Sequence, residues 1–159
     1  KGKTTASFGL ALRAAGAGHK VFIGQFVKGG NYSEINALKR FDDLISIEQF
    51  GRGRFIKARP TDADMQAARL GFEKMKGLLA AGTYDLVIMD EANIALYYDL
   101  FSVEELIEAI NARADTTEVV ITGRNAPAKL IERADLVTEM IEVKHYYSAG
   151  VQARVGIEK

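Results

Sequence analysis

Short apolar runs recur along the chain, each bounded by charged or turn-forming residues, and they predict buried β-strands. Four runs are clear and one is weaker. The predicted strands are residues 21–27, 84–89, 118–122 and 136–140, with 45–49 as the weaker fifth. Because a continuous apolar run has no polar face, we expect these strands in a sheet that is covered on both sides.

Segments with helical periodicity alternate with these runs. The predicted helices are residues 5–15, 61–81, 103–112 and 126–133. The third follows Ser102, with Glu105 three residues later, which is the pattern of a capping box. Strands that alternate with helices predict an α/β fold, a parallel sheet with helices on both faces, formed by residues 1–159 as a single domain.

The loops that follow the strands are the expected place for chemistry. In open parallel sheets, ligands bind beyond the carboxyl ends of the strands. The relevant loops are residues 28–33, 90–93 and 123–127, all of them polar or rich in glycine.

The first residues contain a phosphate-binding pattern. Gly2-Lys3-Thr4 leads directly into the first predicted helix and matches the second half of the P-loop motif, whose first glycine would precede residue 1. Gly2 allows the backbone to approach a phosphate, the helix start offers free N–H groups, Lys3 adds a positive charge, and the Thr4 hydroxyl can bind Mg²⁺. The alternative is a surface tripeptide without function.

A pair of carboxylates ends the second clear strand. Asp90 and Glu91 follow four apolar residues, so they lie at the carboxyl edge of the predicted sheet. P-loop enzymes hold Mg²⁺ in that position, whereas the alternative is a solvated acidic turn. Together with Gly2-Lys3-Thr4, the pair predicts a P-loop NTPase-like fold that binds ATP with Mg²⁺ or Mn²⁺.

Composition narrows the functional classes further. Lys plus Arg and Asp plus Glu both number 21, and this zero net charge argues against a general nucleic-acid binder. No apolar run approaches the roughly 18 residues of a membrane span, so we expect a cytoplasmic protein. The chain contains no cysteine, so a redox step would need an external electron donor.

Several motifs together resemble one family, the P-loop corrinoid adenosyltransferases, which act on cob(I)alamin or cob(I)yrinic acid a,c-diamide. The resemblance runs nearly from end to end, and Thr-Gly-Arg at 122–124 with the Val-Lys-His, Ala-Gly and Gly-Ile tail is more specific than a P-loop. The matching segments are residues 2–5, 8–11, 13–16, 25–29, 89–91, 121–127, 134–140, 143–145, 149–151 and 156–158.

The resemblance implies that Co(I) of a corrinoid attacks C5′ of ATP and releases the whole triphosphate. It also implies the roles of individual residues. Gly2, Lys3, Thr4 and Thr5 would contact the triphosphate, Thr4, Asp90 and Glu91 would serve the metal, Arg13 would face the nucleotide, and Arg124 and Asn125 would lie beside the site. Among these, Lys3, Glu91 and Arg13 are the expected catalytic residues.

The corrinoid side of the site is expected in the loop of residues 51–57. Phe55 is its clear aromatic residue, and the resemblance implies that it covers the lower face of the corrin and displaces the axial base. The alternative is a basic loop in which Phe55 only packs. The resemblance further implies a homodimer and an external electron donor such as a flavoprotein reductase.

Two other functions stay open from the residues alone. The protein could be a P-loop ATPase or kinase that carries out phosphoryl transfer, in which case Glu91 would act as a general base for water. It could also be a nucleotide-dependent binding module without catalysis. The products separate the three possibilities: triphosphate, ADP with phosphate, or none.

Overall fold

Four parallel strands form one sheet in the computed structural model, which describes residues 1–53, 56 and 59–158. The strands lie in the spatial order β2-β1-β3-β4. Their bounds are β1 Val21–Phe26, β2 Ile45–Phe50, β3 Leu86–Asp90 and β4 Glu118–Ile121. The three clear strand predictions before residue 130 are confirmed, and so is the weaker one at 45–49.

Six α-helices and two short 3₁₀ turns connect and follow the strands in the described part of the chain. The helices are α1 Lys3–Gly16, α2 Ser33–Leu38, α3 Asp62–Ala81, α4 Ala92–Tyr97, α5 Val103–Asn111 and α6 Ala128–Arg133, and the 3₁₀ turns are Lys39–Phe41 and Tyr146–Ala149. The four predicted helices are confirmed, whereas the six-residue helices α2 and α4 were not predicted. None of the described helices has the length and apolarity needed to cross a bilayer.

The sheet separates two apolar clusters. Alternate residues of a strand point to opposite faces, and β3 shows this directly. Leu86 and Ile88 pack with α1 in one cluster, whereas Val87 and Met89 pack with α3 and α5 in the other. Helices therefore cover both faces of the sheet, as the apolar strands predict.

The predicted strand at 136–140 is wrong. This segment forms no strand in the structure, and Leu136 and Val137 are 82% and 57% exposed. β4 pairs with β3 alone among the described strands, so residues 136–140 do not extend the sheet. An apolar run indicates a tendency to be buried, but a strand also needs a neighbour with which to form hydrogen bonds.

Helix α5 begins with the predicted capping box. The Ser102 hydroxyl accepts a hydrogen bond from the Glu105 backbone N–H at 3.2 Å, and Glu105 Oε2 accepts from the Ser102 N–H at 2.9 Å. The pKa of Glu105 is lowered from 4.5 to about 2. The largest cause is the hydrogen bond from the Ser102 backbone, followed by the bonds from the Ser102 hydroxyl and from Arg69.

Ser102→Ala is expected to lower the free energy of unfolding by about 1 kcal/mol at pH 7. Since the pKa of Glu105 is lower in the folded state, its contribution is present above pH 4.5 and is lost as the pH falls towards 2. The difference in free energy of unfolding between wild type and variant should therefore decrease as the pH falls from 4.5 towards 2. Urea unfolding at pH 7 and pH 3 measures it, with the exposed Thr116→Ala as control. A difference that is equal at both pH values would contradict this explanation.

Candidate functional site

Asp90, the last residue of β3, is the centre of a polar cluster at the carboxyl edge of the sheet. Its side chain is fully buried. Oδ1 accepts hydrogen bonds from the hydroxyls of Thr4 at 3.0 Å and Thr122 at 2.6 Å. Oδ2 accepts from the Gln25 amide at 3.0 Å and from the Lys28 ammonium at 2.8 Å. One carboxylate thus joins the start of α1 to the ends of β1 and β4.

The parallel register brings Gln25 to Asp90. The two residues are direct partners in the β1–β3 ladder, and Gln25 is fully buried in an otherwise apolar strand. Its own Oε1 accepts a hydrogen bond from the Gln49 amide at 3.1 Å, and Gln49 in turn accepts from the Gly30 N–H at 3.0 Å. Because buried polar groups need hydrogen-bond partners, this chain of amides restricts the position of the Asp90 carboxylate.

Lys28 supplies the positive charge of the cluster. Its Nζ lies 2.8 Å from Thr4 Oγ1 and 3.9 Å from Glu91 Oε1, in addition to its ion pair with Asp90, and its side chain is only 19% exposed. Burial by itself raises the pKa of Asp90, but the charge and hydrogen bond of Lys28, together with Thr122 and Gln25, outweigh burial and hold that pKa below its ordinary value. Asp90 is therefore ionised at neutral pH.

Three loops at this edge contain a non-glycine residue in the left-handed backbone region. Val27 follows β1 with φ 51°, Glu91 follows β3 with φ 59°, and Asn125 lies in the loop after β4 with φ 59°. This conformation is uncommon for non-glycine residues and is unfavourable for a β-branched one such as Val27. Such strain persists where the surrounding structure requires it, often at functional sites.

The start of α1 lies beside the cluster. Gly2 precedes the helix with φ 96°, and the first turn contains no acidic residue. Lys3 and Thr4 are the first two helical residues and are half-buried, whereas Thr5 is exposed. Free N–H groups at a helix start, next to a lysine, form a favourable site for a phosphate group.

The remaining predicted site residues lie at different distances from this centre. Glu91 precedes α4, and its backbone N–H donates to the Thr122 hydroxyl at 3.1 Å. Arg124 and Asn125 are exposed in the loop just after Thr122. Arg13 is exposed in the last turn of α1, about 15 Å along the helix from Lys3 at the standard rise. The structure does not bring Arg13 to the cluster, and Phe55 lies outside the described residues.

The donor atoms of the cluster suit a hard divalent cation. Thr4 offers a hydroxyl, and Asp90 and Glu91 offer carboxylates, the oxygen ligands that Mg²⁺ and Mn²⁺ prefer. The Lys28 ammonium already places positive charge against two of these side chains. The described residues contain no group of three or more His, Asp or Glu that could hold a metal by themselves.

Four residues of this site have no role in the sequence-based prediction. They are Gln25, Lys28, Asn93 and Thr122, and all lie within or just after predicted strands. A glutamine inside an apolar strand is the one local signal that could have indicated a buried polar partner. Asn93 gives no such signal, although its buried Oδ1 has no hydrogen-bond partner among the described residues.

The fold and this site together define the class of protein. An all-parallel sheet has helices on both faces, and a Gly-Lys-Thr helix start contacts a carboxylate at the end of a strand through the Thr4–Asp90 hydrogen bond. This arrangement is consistent with a P-loop NTPase-like α/β fold.

Comparison with known proteins gives the family. The family model described as ATP:corrinoid adenosyltransferase BtuR/CobO/CobP matches residues 1–158. The chain is 37% identical to the corrinoid adenosyltransferases of Escherichia coli K12 and Pseudomonas aeruginosa, over 99% of this chain and 80% and 78% of those proteins. It is also 37% identical to the corrinoid adenosyltransferase CobA of Salmonella typhimurium, over 99% of this chain and 80% of that protein. The chain belongs to the ATP:corrinoid adenosyltransferase family, as the sequence motifs predict.

Proposed function

We propose that this protein transfers the 5′-deoxyadenosyl group of ATP to the Co(I) form of a corrinoid. In this reaction the electron pair of Co(I) forms the cobalt–carbon bond, while the C5′–O bond breaks and its electron pair leaves with the triphosphate. The family match over residues 1–158 and the corrinoid adenosyltransferase relatives support this activity.

The observation that carries the proposal is the contact between Thr4 and Asp90. It joins the phosphate-binding helix start to the carboxylate at the end of β3, so a triphosphate at α1 would lie beside both. Negative charge grows on the departing triphosphate in the transition state. Lys3 and the free N–H groups of α1 would stabilise that charge more than the charge of the ground state, which accelerates the reaction.

A divalent ion, Mg²⁺ or Mn²⁺, is proposed to bind with the nucleotide through Thr4, Asp90 and Glu91. When bound, it supplies positive charge next to the phosphate oxygens. Glu91 in this role is a metal ligand, whereas in a phosphoryl-transfer enzyme it would act as a base for water. The ion pair between Lys28 and Asp90 keeps the Asp90 carboxylate ionised.

The other roles that the family resemblance implies are also proposed. Arg13, Arg124 and Asn125 would contact the nucleotide, and Phe55 would cover the lower face of the corrin. An external electron donor such as a flavoprotein reductase would produce Co(I), and the protein would act as a homodimer in the cytoplasm.

Product analysis tests the proposed reaction. Purified protein with ATP, Mg²⁺ and chemically reduced Co(I) corrinoid is expected to release one tripolyphosphate for each cobalt–carbon bond formed. Ion chromatography measures the phosphates, and the visible spectrum of the corrinoid reports the new bond. A parallel reaction without corrinoid should release almost no phosphate. ADP and orthophosphate in that control would instead support phosphoryl transfer and contradict the proposal.

A further inference from the structure

Lys28 lies between the side chains that the proposed metal ion would use. Its Nζ is 2.8 Å from both Thr4 Oγ1 and Asp90 Oδ2, two oxygens that are themselves 3.3 Å apart. A divalent ion bound to both oxygens at about 2.1 Å would take the same lone pairs and would lie against the ammonium. The ammonium and the metal therefore compete for these ligands.

The backbone of Lys28 is held tightly, although its side chain is long. A Cβ added at Gly51 would lie 2.5 Å from the Lys28 N, and one added at Gly29 would lie 2.6 Å from the Gly51 carbonyl oxygen. The loops after β1 and β2 thus pack backbone against backbone. The four methylene groups of Lys28 can still move its ammonium, and Glu91 Oε1 lies 3.9 Å away as a further acceptor.

We propose that Lys28 is a positioning residue that occupies the metal position in the absence of nucleotide and moves away when the metal enters with ATP. It holds Thr4 and Asp90 together through its two hydrogen bonds, and it disfavours binding of a metal ion alone. The triphosphate supplies new oxygen acceptors for the displaced ammonium, so metal and nucleotide bind together. This inference rests on the proposed metal site at Thr4, Asp90 and Glu91.

Mn²⁺ binding with and without ATP tests the proposal. Mn²⁺ titrations followed by electron paramagnetic resonance compare wild type, Lys28→Met, Lys28→Gln and the exposed control Lys20→Met. Without nucleotide, both Lys28 variants are expected to bind one Mn²⁺ at least ~10-fold more tightly than wild type and the control, because a charged hydrogen-bonded competitor has been removed. With ATP present, that gain should disappear, because the variants also lack a cation for the triphosphate.

Tighter Mn²⁺ binding by the Lys28 variants without nucleotide excludes a merely structural role, which would weaken binding under both conditions. Lys28→Gln keeps a hydrogen-bond donor and serves if the methionine variant does not fold. Mn²⁺ affinity without nucleotide that is unchanged or weaker in the folded variants overturns the inference about Lys28. A separate experiment measures Mn²⁺ binding with ATP in Glu91→Gln. Unchanged Mn²⁺ affinity there overturns the metal site itself, and the inference about Lys28 with it. Weakened affinity supports the metal site independently of the results for the Lys28 variants.

Discussion

Lys3→Ala is expected to lower the turnover of Co(I) corrinoid by ~10²-fold or more at saturating ATP and Mg²⁺, the scale for removing one preorganised stabiliser of developing charge. Lys3 is the first residue of α1 and stands next to Thr4, whose hydroxyl donates to Asp90. The effect should fall on turnover because negative charge on the triphosphate increases as the C5′–O bond breaks. The visible absorbance of the adenosylated corrinoid measures the rate.

The matched control for this prediction is Lys20→Ala, which removes an exposed lysine from the loop before β1. It should retain the wild-type rate, since it alters net charge equally but at the amino end of β1, whereas the site lies at the carboxyl edge of the sheet. Thermal unfolding of both variants confirms that they are folded. Near-normal turnover of Lys3→Ala at saturating substrate would remove Lys3 from the catalytic residues.

Asp90→Ala is expected to lower the free energy of unfolding by about 3 to 5 kcal/mol, the range for removing one partner of a buried ion pair. The variant leaves the Lys28 ammonium, the Gln25 amide and the Thr122 hydroxyl without their common acceptor. Urea unfolding at pH 7 measures the loss. The exposed Asp43→Ala is the control and should change stability by no more than about 0.5 kcal/mol.

A double variant shows whether the buried charge causes that loss. Asp90→Ala combined with Lys28→Met removes both partners of the ion pair, so it should be more stable than Asp90→Ala alone. If the double variant is less stable than Asp90→Ala, the ammonium is not the source of the destabilisation. A loss below about 1 kcal/mol in Asp90→Ala itself would show that Asp90 is not the centre of the cluster.

The apolar pattern predicted four of the observed strands, but it failed at 136–140. The successful runs lie next to one another in the sheet, where each strand provides backbone hydrogen bonds to the next. Residues 136–140 have the same apolar character, yet Leu136 is 82% exposed. Side-chain character is a property of the segment itself, whereas pairing depends on a neighbouring strand that the local pattern does not reveal.

The candidate site was predicted unevenly for a similar reason. Gly2-Lys3-Thr4 and Asp90-Glu91 form contiguous motifs, and each implies its chemistry through adjacent residues. Lys28 and Thr122 belong to the matching segments 25–29 and 121–127, but their chemical role depends on contact with Asp90. The residue type of a single lysine or threonine does not show whether it faces solvent or contacts a buried carboxylate.

The sequence by itself determined the alternation of strands and helices, the capped start of α5, the phosphate-binding helix start and the family. These features depend on residues that are close in the chain, or on motifs that can be compared directly. Only the tertiary structure decided that Thr4, Gln25, Lys28 and Thr122 meet at one carboxylate. Their partners in these contacts are 24 to 86 residues away along the chain, and the parallel register of β1 and β3 brings them together. Asp90 is buried away from water, so its carboxylate needs hydrogen-bond donors from the protein. Other parts of the fold supply them.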